Sequence, residues 1–390
     1  MITNYNQNIF LILLIILKLN SVKTNFSFSL DNIKIRYLYF LDYLPWNKNK
    51  KNLIIGAFTN HPWKVVRNFF ISLIKSGFHN YEIVMFIGNV PEETKDKMKQ
   101  CGVIIYEIPK EYLESKSIIQ NYRFKIYEDF LKKNKYKYNK VFTADIKDTI
   151  FQKDIFQLFN SSKSFLGFFY EEKIIKETPA NIDWAKFYCG KNIKENTFNK
   201  KIICSGSIIG SADKFYEFCK ILWKIIEDNN STDYFGEQGA VNCMIHNQNL
   251  FNDCVILQDN NGPLMTIGLS KRKNIKLDKN DNIINYKGEL AAAVHQYDRM
   301  RDITEKMNNK FDDTNLNFNN FVNSNNNIKS ENIFNFLILF AVIIIVVILI
   351  FLFYLFIKWK TSKKFFKKIK IKNRKKNNKK IKRKYQKIKN

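Results

Sequence analysis

From Leu53 to Val141 short apolar runs alternate with amphipathic stretches, and this alternation narrows the available folds more than any other feature of the chain. Leu53 to Phe58 reads as a strand ending at Thr59 and Asn60. Val65 to Ile74 carries helical spacing up to Gly77, and Tyr81 to Ile87 reads as a second strand. Glu92 to Gln100 reads as a helix, Val103 to Ile108 as a third strand, and Asn121 to Lys132 as a helix leading to a central strand at Val141. Strands alternating with helices imply parallel pairing and right-handed crossovers, so the fold class expected is α/β. Ligands in such sheets bind outside the carboxyl ends of the strands, which places a nucleotide beside Thr59 and Asn60. No GxGxxG or P-loop is present, so neither a dinucleotide site nor an NTPase is indicated.

The central strand runs into VFTADIKDTIFQKD, from Val141 to Asp154. Its apolar residues stop on Asp145 and Asp148. Two acids at a strand's carboxyl end suit a hard divalent cation, which in turn can hold a diphosphate. They equally suit a turn and the cap of the next helix. Beyond this turn, Phe165 to Tyr170 reads as another strand, and Glu171 to Lys201 as loop and short helix. Ile202 to Gly210 reads as a small-residue turn between apolar flanks, in which Gly206 and Gly210 permit close backbone approach or serve a bulge. An amphipathic helix follows from Ala212 to Ile226, then Asp233, Glu237 and Gln238 lead another helix through Val241 to His246. Pro263 to Leu269 and Gly288 to Val294 read as short strands, the second ending at His295.

A net charge of +28 over 390 residues suggests a nucleic-acid partner until its location is considered. Lys358 to Asn390 holds 18 Lys and Arg and no acid, and removing those 18 from +28 leaves +10 for the rest. The basic tail directly follows Asn332 to Ile357, an uncharged run of 26 residues, about 39 Å as a helix and enough to span a membrane with tilt. Basic residues beside such a run are a topology signal that keeps the tail cytosolic and puts the main domain in the lumen. The expectation is therefore membrane attachment through a C-terminal helix and no nucleic acid. Ile9 to Leu17 fits a signal peptide within residues 1–22, or a short signal anchor. The expected organisation continues with a lumenal domain over 30–301, an Asn-rich stalk over 302–331, the span over 332–357 and the tail over 358–390. Sequons at Asn25, Asn160, Asn229 and Asn230 agree with a lumenal domain. The six cysteines show no CxxC pair and no metal-ligand spacing, and the sequence selects no pairing among them.

Taken together, the motifs resemble those of nucleotide-sugar glycosyltransferases of the GT-A fold, over roughly Asn52 to Met300. The eukaryotic members most similar carry D-x-x-D-x-x-F-Q-x-D-x-F and V-H-Q-Y-D-R. Here Asp145, Asp148, Phe151, Gln152, Asp154 and Phe156 stand in the first pattern, and Val294 to Arg299 in the second. The resemblance implies a GT-A-like mixed sheet flanked by helices, with Asp145, Asp148 and His295 as metal ligands. The usual GT-A motif is Asp-x-Asp; here Lys147 takes the place of the second acid, and Asp148 follows one residue later. It further implies donor contacts from Arg123, Ser205, Gly206 and Gln238, next to the crevice position of Thr59 and Asn60, and an acceptor-facing acid in Glu237 or Asp233. Mn²⁺ is the implied cofactor, with Mg²⁺ the other choice, since a histidine ligand tilts selection towards Mn²⁺. The implied partners are a nucleotide-sugar donor and a glycan or glycoprotein acceptor, in the Golgi or endoplasmic reticulum. The rival expectation is a GT-A-like lumenal or surface module that binds without turnover.

Overall fold

The computed structural model describes residues 50–114, 119–159, 164–231 and 236–314, with seven further positions between 345 and 359. The first half alternates as the sequence pattern requires. Strand β1 (Lys51–Thr59) is followed by helix α1 (Trp63–Lys75), β2 (Tyr81–Gly88), α2 (Glu92–Gln100), β3 (Val103–Glu107) and the short α3 (Lys110–Glu114). Helix α4 (Ile119–Asn134) then leads into β4 (Tyr138–Ala144). Next come β5 (Thr149–Phe151), α5 (Ile155–Leu158), β6 (Leu166–Ile174), α6 (Pro179–Cys189), β7 (Lys201–Ser211), α7 (Ala212–Asp228) and α8 (Glu237–Asn242). The last third is strand-rich: β8 (Val255–Gln258), β9 (Leu264–Thr266), β10 (Lys276–Leu277), β11 (Ile283–Ile284) and β12 (Ala293–His295), closed by α9 (Arg301–Lys310).

Seven strands form a mixed sheet in the order β3-β2-β1-β4-β7-β6-β8. Strands β1 to β4 are parallel, whereas β7 runs antiparallel to both β4 and β6. The chain moves outward from β1 through β2 to β3, then returns to place β4 on the other side of β1. That reversal opens a crevice beyond the carboxyl ends of β1 and β4, the position where α/β sheets bind ligands. One face of the sheet is covered by α4 and α7, whose Phe124, Tyr127, Phe215 and Phe218 join Leu53, Val141, Phe168 and Ile208 in the core. Helix α7 buries Phe215, Phe218, Cys219, Leu222 and Ile226, a helical spacing that fixes which face meets the sheet.

A smaller sheet, β5-β12-β9, carries the second half of the crevice. Strand β12 pairs antiparallel with β5, setting His295 opposite Thr149, and parallel with β9. Phe151 anchors this arrangement, with Phe69, Phe78 and Phe142 packed edge-on around its ring. Gln152 completes it: its amide donates to the carbonyls of Ile283 and Ala291 and accepts from the Ile283 N–H. The Phe-Gln pair of the sequence pattern is thus a structural staple next to the acidic turn. Asp154 caps α5 by accepting from the Phe156 N–H, so the helix cap belongs to Asp154 and not to Asp148.

Three expectations require correction. Ile202 to Gly210 is no turn: β7 runs unbroken through it, and the small residues instead form a bulge, the pairing with β6 jumping from Ile208 to Cys204. The late strands are shorter than their apolar runs: β9 covers only Leu264–Thr266, and β12 starts only at Ala293 and ends at His295, where Gln296 turns left-handed. The stalk does not begin at residue 302. Helix α9 buries Ile303 and Met307, and Arg67 and Trp63 of α1 bind Asp312 and Asp313. Among the described residues no helix is long and apolar enough to cross a membrane. Of the expected span 332–357, only Ile345, Ile348, Leu352, Leu355 and Phe356 are described, each helical and exposed. The expected leader over 1–22, and Asn25 and Asn160, lie outside the described residues.

Candidate metal and ligand site

Asp145 leaves β4 at the crevice, its N–H donating to the Gly206 carbonyl at 2.8 Å. One carboxylate oxygen, Oδ1, receives Arg123 Nη1, while Oδ2 lies 3.4 Å from His295 Nε2. Asp148 Oδ1 lies 3.3 Å from the same nitrogen. Residues 145 and 148 therefore meet His295 because β5 starts at Thr149, directly opposite it in the small sheet.

His295 Nε2 and Asp148 Oδ1 are both buried, and neither has a hydrogen-bond partner. Buried polar atoms left in that state cost roughly 1–3 kcal/mol each, a penalty that a shared cation would remove. Oxygen, oxygen and imidazole nitrogen atoms from the three residues lie within 4.8 Å of one another, a group that could hold a metal ion. Gly206 adds a steric argument. A Cβ there would sit 2.4 Å from His295 Cε1 and 2.5 Å from Asp145 Oδ2, so the strand backs directly onto the ligand atoms.

The imidazole is held from behind by Cys204, whose Sγ is 3.4 Å from Nδ1. Burial works against a charged His295, yet Cys204, Asp148 and Asp145 outweigh it and hold its proton well above the ordinary imidazole range. Burial likewise opposes ionisation of Asp145, but Arg123 and then His295 hold its carboxyl well below the usual carboxylate range. Metal ligation requires a neutral imidazole. Mn²⁺ affinity should consequently rise with pH, as His295 gives up its proton above about 6.5. Without metal the sign is opposite: the stability from protonated His295 is complete below the unfolded value and is lost as pH rises through the higher folded value. Melting curves from pH 6 to 8.5 should show a Mn²⁺-induced gain that grows with pH; a gain independent of pH would contradict this ligand set.

Arg123, from α4, is buried with its side chain spanning three segments. Its Nη2 donates to the Ser205 carbonyl at 3.2 Å and to Glu237 Oε1 at 3.1 Å. Ser205 Oγ donates to the same Glu237 oxygen at 3.0 Å, and the Ser205 N–H donates to Gln238 Oε1 at 3.2 Å. Gln238 in turn donates to Asn181 of α6. Helix α8 is thereby tied to the β7 bulge, and a disulfide between Cys189 and Cys243 joins α6 to the residue after α8. The other four cysteines are free and buried.

A cavity of about 210 Å³ opens on this cluster, lined by Thr59, Arg123, Asp145, Lys147, Asp148 and Arg299 among others. The structure thus brings together nearly all the residues the sequence singled out. Asn60 takes a left-handed turn (φ 58°) at the end of β1 and does not line the cavity. Asp233 lies outside the described residues. One buried acid was not singled out. Glu171 is 4% exposed, and burial pushes its pKa up against the pull of His295 and hydrogen bonds to Gln238, Cys204 and Gln296. The strand alternation that buries Phe169 on β6 also buries Glu171, the one available signal.

No family model matches the chain, and no curated protein matches it. Among solved structures it is similar to an active-site mutant of LgtC, at 10% identity over 66% of this chain and 93% of that one, with a TM-score of 0.43. A likeness at that score carries no argument about function. The weight falls on the site's own residues.

Proposed function

We propose that this chain is a metal-assisted glycosyltransferase with a GT-A-like fold, moving a sugar from a nucleotide-sugar donor to a glycan or glycoprotein. The observation that carries the reading is the Asp145, Asp148 and His295 cluster at the carboxyl end of the central strand, beside a cavity shared with Arg123. A divalent cation, Mn²⁺ by the oxygen-plus-imidazole donor set, would supply neutralising charge to the diphosphate leaving group. Thr59 at the end of β1 would flank the nucleoside. Arg123 would keep Asp145 ionised and aimed, and Ser205, Gly206 and Gln238 would bound the sugar. In an inverting transfer Glu237 or Asp233 would accept the proton of the attacking hydroxyl; a retaining transfer needs no such base.

We read the domain as lumenal, in the Golgi or endoplasmic reticulum, and anchored through residues 332–357. The uncharged run and the basic flank support this, and the Cys189–Cys243 disulfide fits an oxidising compartment.

The test is a thermal-shift screen of nucleotide sugars with and without Mn²⁺, followed by donor hydrolysis. A ligand present at 100 times its Kd raises apparent stability by about 2.7 kcal/mol. At least one donor should therefore raise the melting temperature further with Mn²⁺ present than without it. If no nucleotide sugar does so, the reading fails. Binding without hydrolysis or transfer to any acceptor would instead leave the non-catalytic module.

A further inference from the structure

We propose that Lys147 and Arg299 form a cationic clamp that grips a diphosphate directly, beside the candidate metal ligands. The proposal deepens the glycosyltransferase reading and rests on it. Lys147 stands in the acidic turn between Asp145 and Asp148; Arg299 follows β12 by four residues from His295. Both line the cavity, and their side chains are 54% and 55% exposed.

The two cations are loosely committed. Lys147 Nζ lies 3.5 Å from Asp298 Oδ2, Arg299 Nε 3.6 Å from Asp298 Oδ1 and Arg299 Nη2 3.9 Å from Asp148 Oδ2. Neither side chain donates a hydrogen bond to any described residue. Elsewhere the domain's arginines pair closely, as Arg67 does with Asp312 at 2.8 Å and Arg272 with Asp302 at 2.6 Å. Asp298 therefore works as a spacer that keeps both cations at the cavity while leaving their N–H groups unspent.

Charge identifies the occupant. Asp145 and Asp148 with His295 call for a cation, whereas Lys147, Arg299 and Arg123 call for an anion. A ligand that satisfies both sets is a polyanion carrying a divalent cation on one side. A diphosphate has that form, and Arg and Lys bind phosphoryl oxygens by charge-assisted hydrogen bonds. Lys147 then does more than vacate the position of an acid. It moves part of the neutralising charge from the metal to the protein, so diphosphate binding weakens without metal but persists.

The test is calorimetric titration of inorganic pyrophosphate and of UDP into the full chain, with Mn²⁺ or with EDTA, for wild type, Lys147→Ala, Arg299→Ala and Lys147→Arg. Wild type should bind pyrophosphate in EDTA. Each alanine variant should lose about tenfold or more in both conditions, the scale of one charge-assisted hydrogen bond, and Lys147→Arg should recover most of the loss. Melting temperatures should hold, since both side chains are exposed. Unchanged pyrophosphate and UDP binding in both alanine variants would overturn the clamp and leave the glycosyltransferase reading standing. Wild-type binding of UDP only with Mn²⁺, and none in EDTA, would also overturn it. Failure of wild type to bind either probe under any condition would overturn both.

Discussion

Asp145→Ala and His295→Ala should each weaken Mn²⁺-dependent nucleotide binding by about 10- to 100-fold or more, the range reached even by changes one shell further from a metal. The reason lies in the pairing of atoms. Asp145 Oδ2 and Asp148 Oδ1 approach His295 Nε2 at 3.4 and 3.3 Å, and removing any of them leaves the remaining two as an incomplete ligand set. The variants separate in their stability without metal. His295→Ala removes the protonated imidazole that neutralises two carboxylates and empties a fully buried position, whereas Asp145→Ala strands Arg123 with one acid fewer. Breaking a buried ion pair from one side costs about 3–5 kcal/mol when the partner stays buried. Arg123 stays buried but keeps its pair with Glu237 at 3.1 Å, so the loss of Asp145 should fall below that range. Asp148→Ala should match the binding loss of the other two, because Asp154 and not Asp148 caps α5. Titration of Mn²⁺ and UDP into the three variants decides the matter: unchanged metal-dependent binding in Asp145→Ala and His295→Ala would remove the proposed site.

Gly206→Ala should abolish the metal response through a single methyl group. That methyl would fall 2.4 Å from His295 Cε1 and 2.5 Å from Asp145 Oδ2, separations that real Cβ atoms essentially never show. The backbone of Gly206 cannot retreat freely, since its carbonyl holds the Asp145 N–H. The ligands must move instead. Overpacking of this kind typically costs about 1–3 kcal/mol, so the chain should still fold with a lowered melting temperature, but Mn²⁺ should no longer raise it. A Gly206→Ala protein that kept the wild-type Mn²⁺ shift would show that the site tolerates a wall at that position and that the ligand geometry is wrong.

The parallel half of the sheet was legible because apolar runs and helical periodicity are local signals. Thr59 and Asp145 follow from them, as residues at the carboxyl ends of β1 and β4. The partnership of Asp145 with His295 was not legible in that way: the register of β5 with β12 sets it, and only the resemblance pointed to it. The stretch around Gly206 misled for a physical reason. A run of small residues supports a turn or a bulge equally well, and the choice depends on the neighbours that occupy the missing side-chain volume. Arg123 posed a similar ambiguity, since a helix surface arginine and one buried against two acids look alike in sequence. Glu171 sat beside a second glutamate at the end of an aromatic strand, where the sequence suggested loop. The end of the domain was placed too early because Asn-rich composition hid the two apolar positions of α9 and the acidic pair that binds Arg67.

The β5–β12 pairing also fixes when the site comes into being. It joins Phe151 to Ala293, so the ring of candidate ligands is closed between parts of the chain far apart in sequence. Local pieces such as β1-α1-β2 can form as soon as they leave the ribosome, but the entropy of closing so large a loop must be met before His295 reaches Asp148. Synthesis of the large sheet is finished by Gln258, well before His295 emerges. A nascent chain can therefore hold a complete large sheet before the three candidate ligands have met. On the proposed reading, affinity for a cation would be acquired only when the last strand is placed between its neighbours, late in the maturation of this protein.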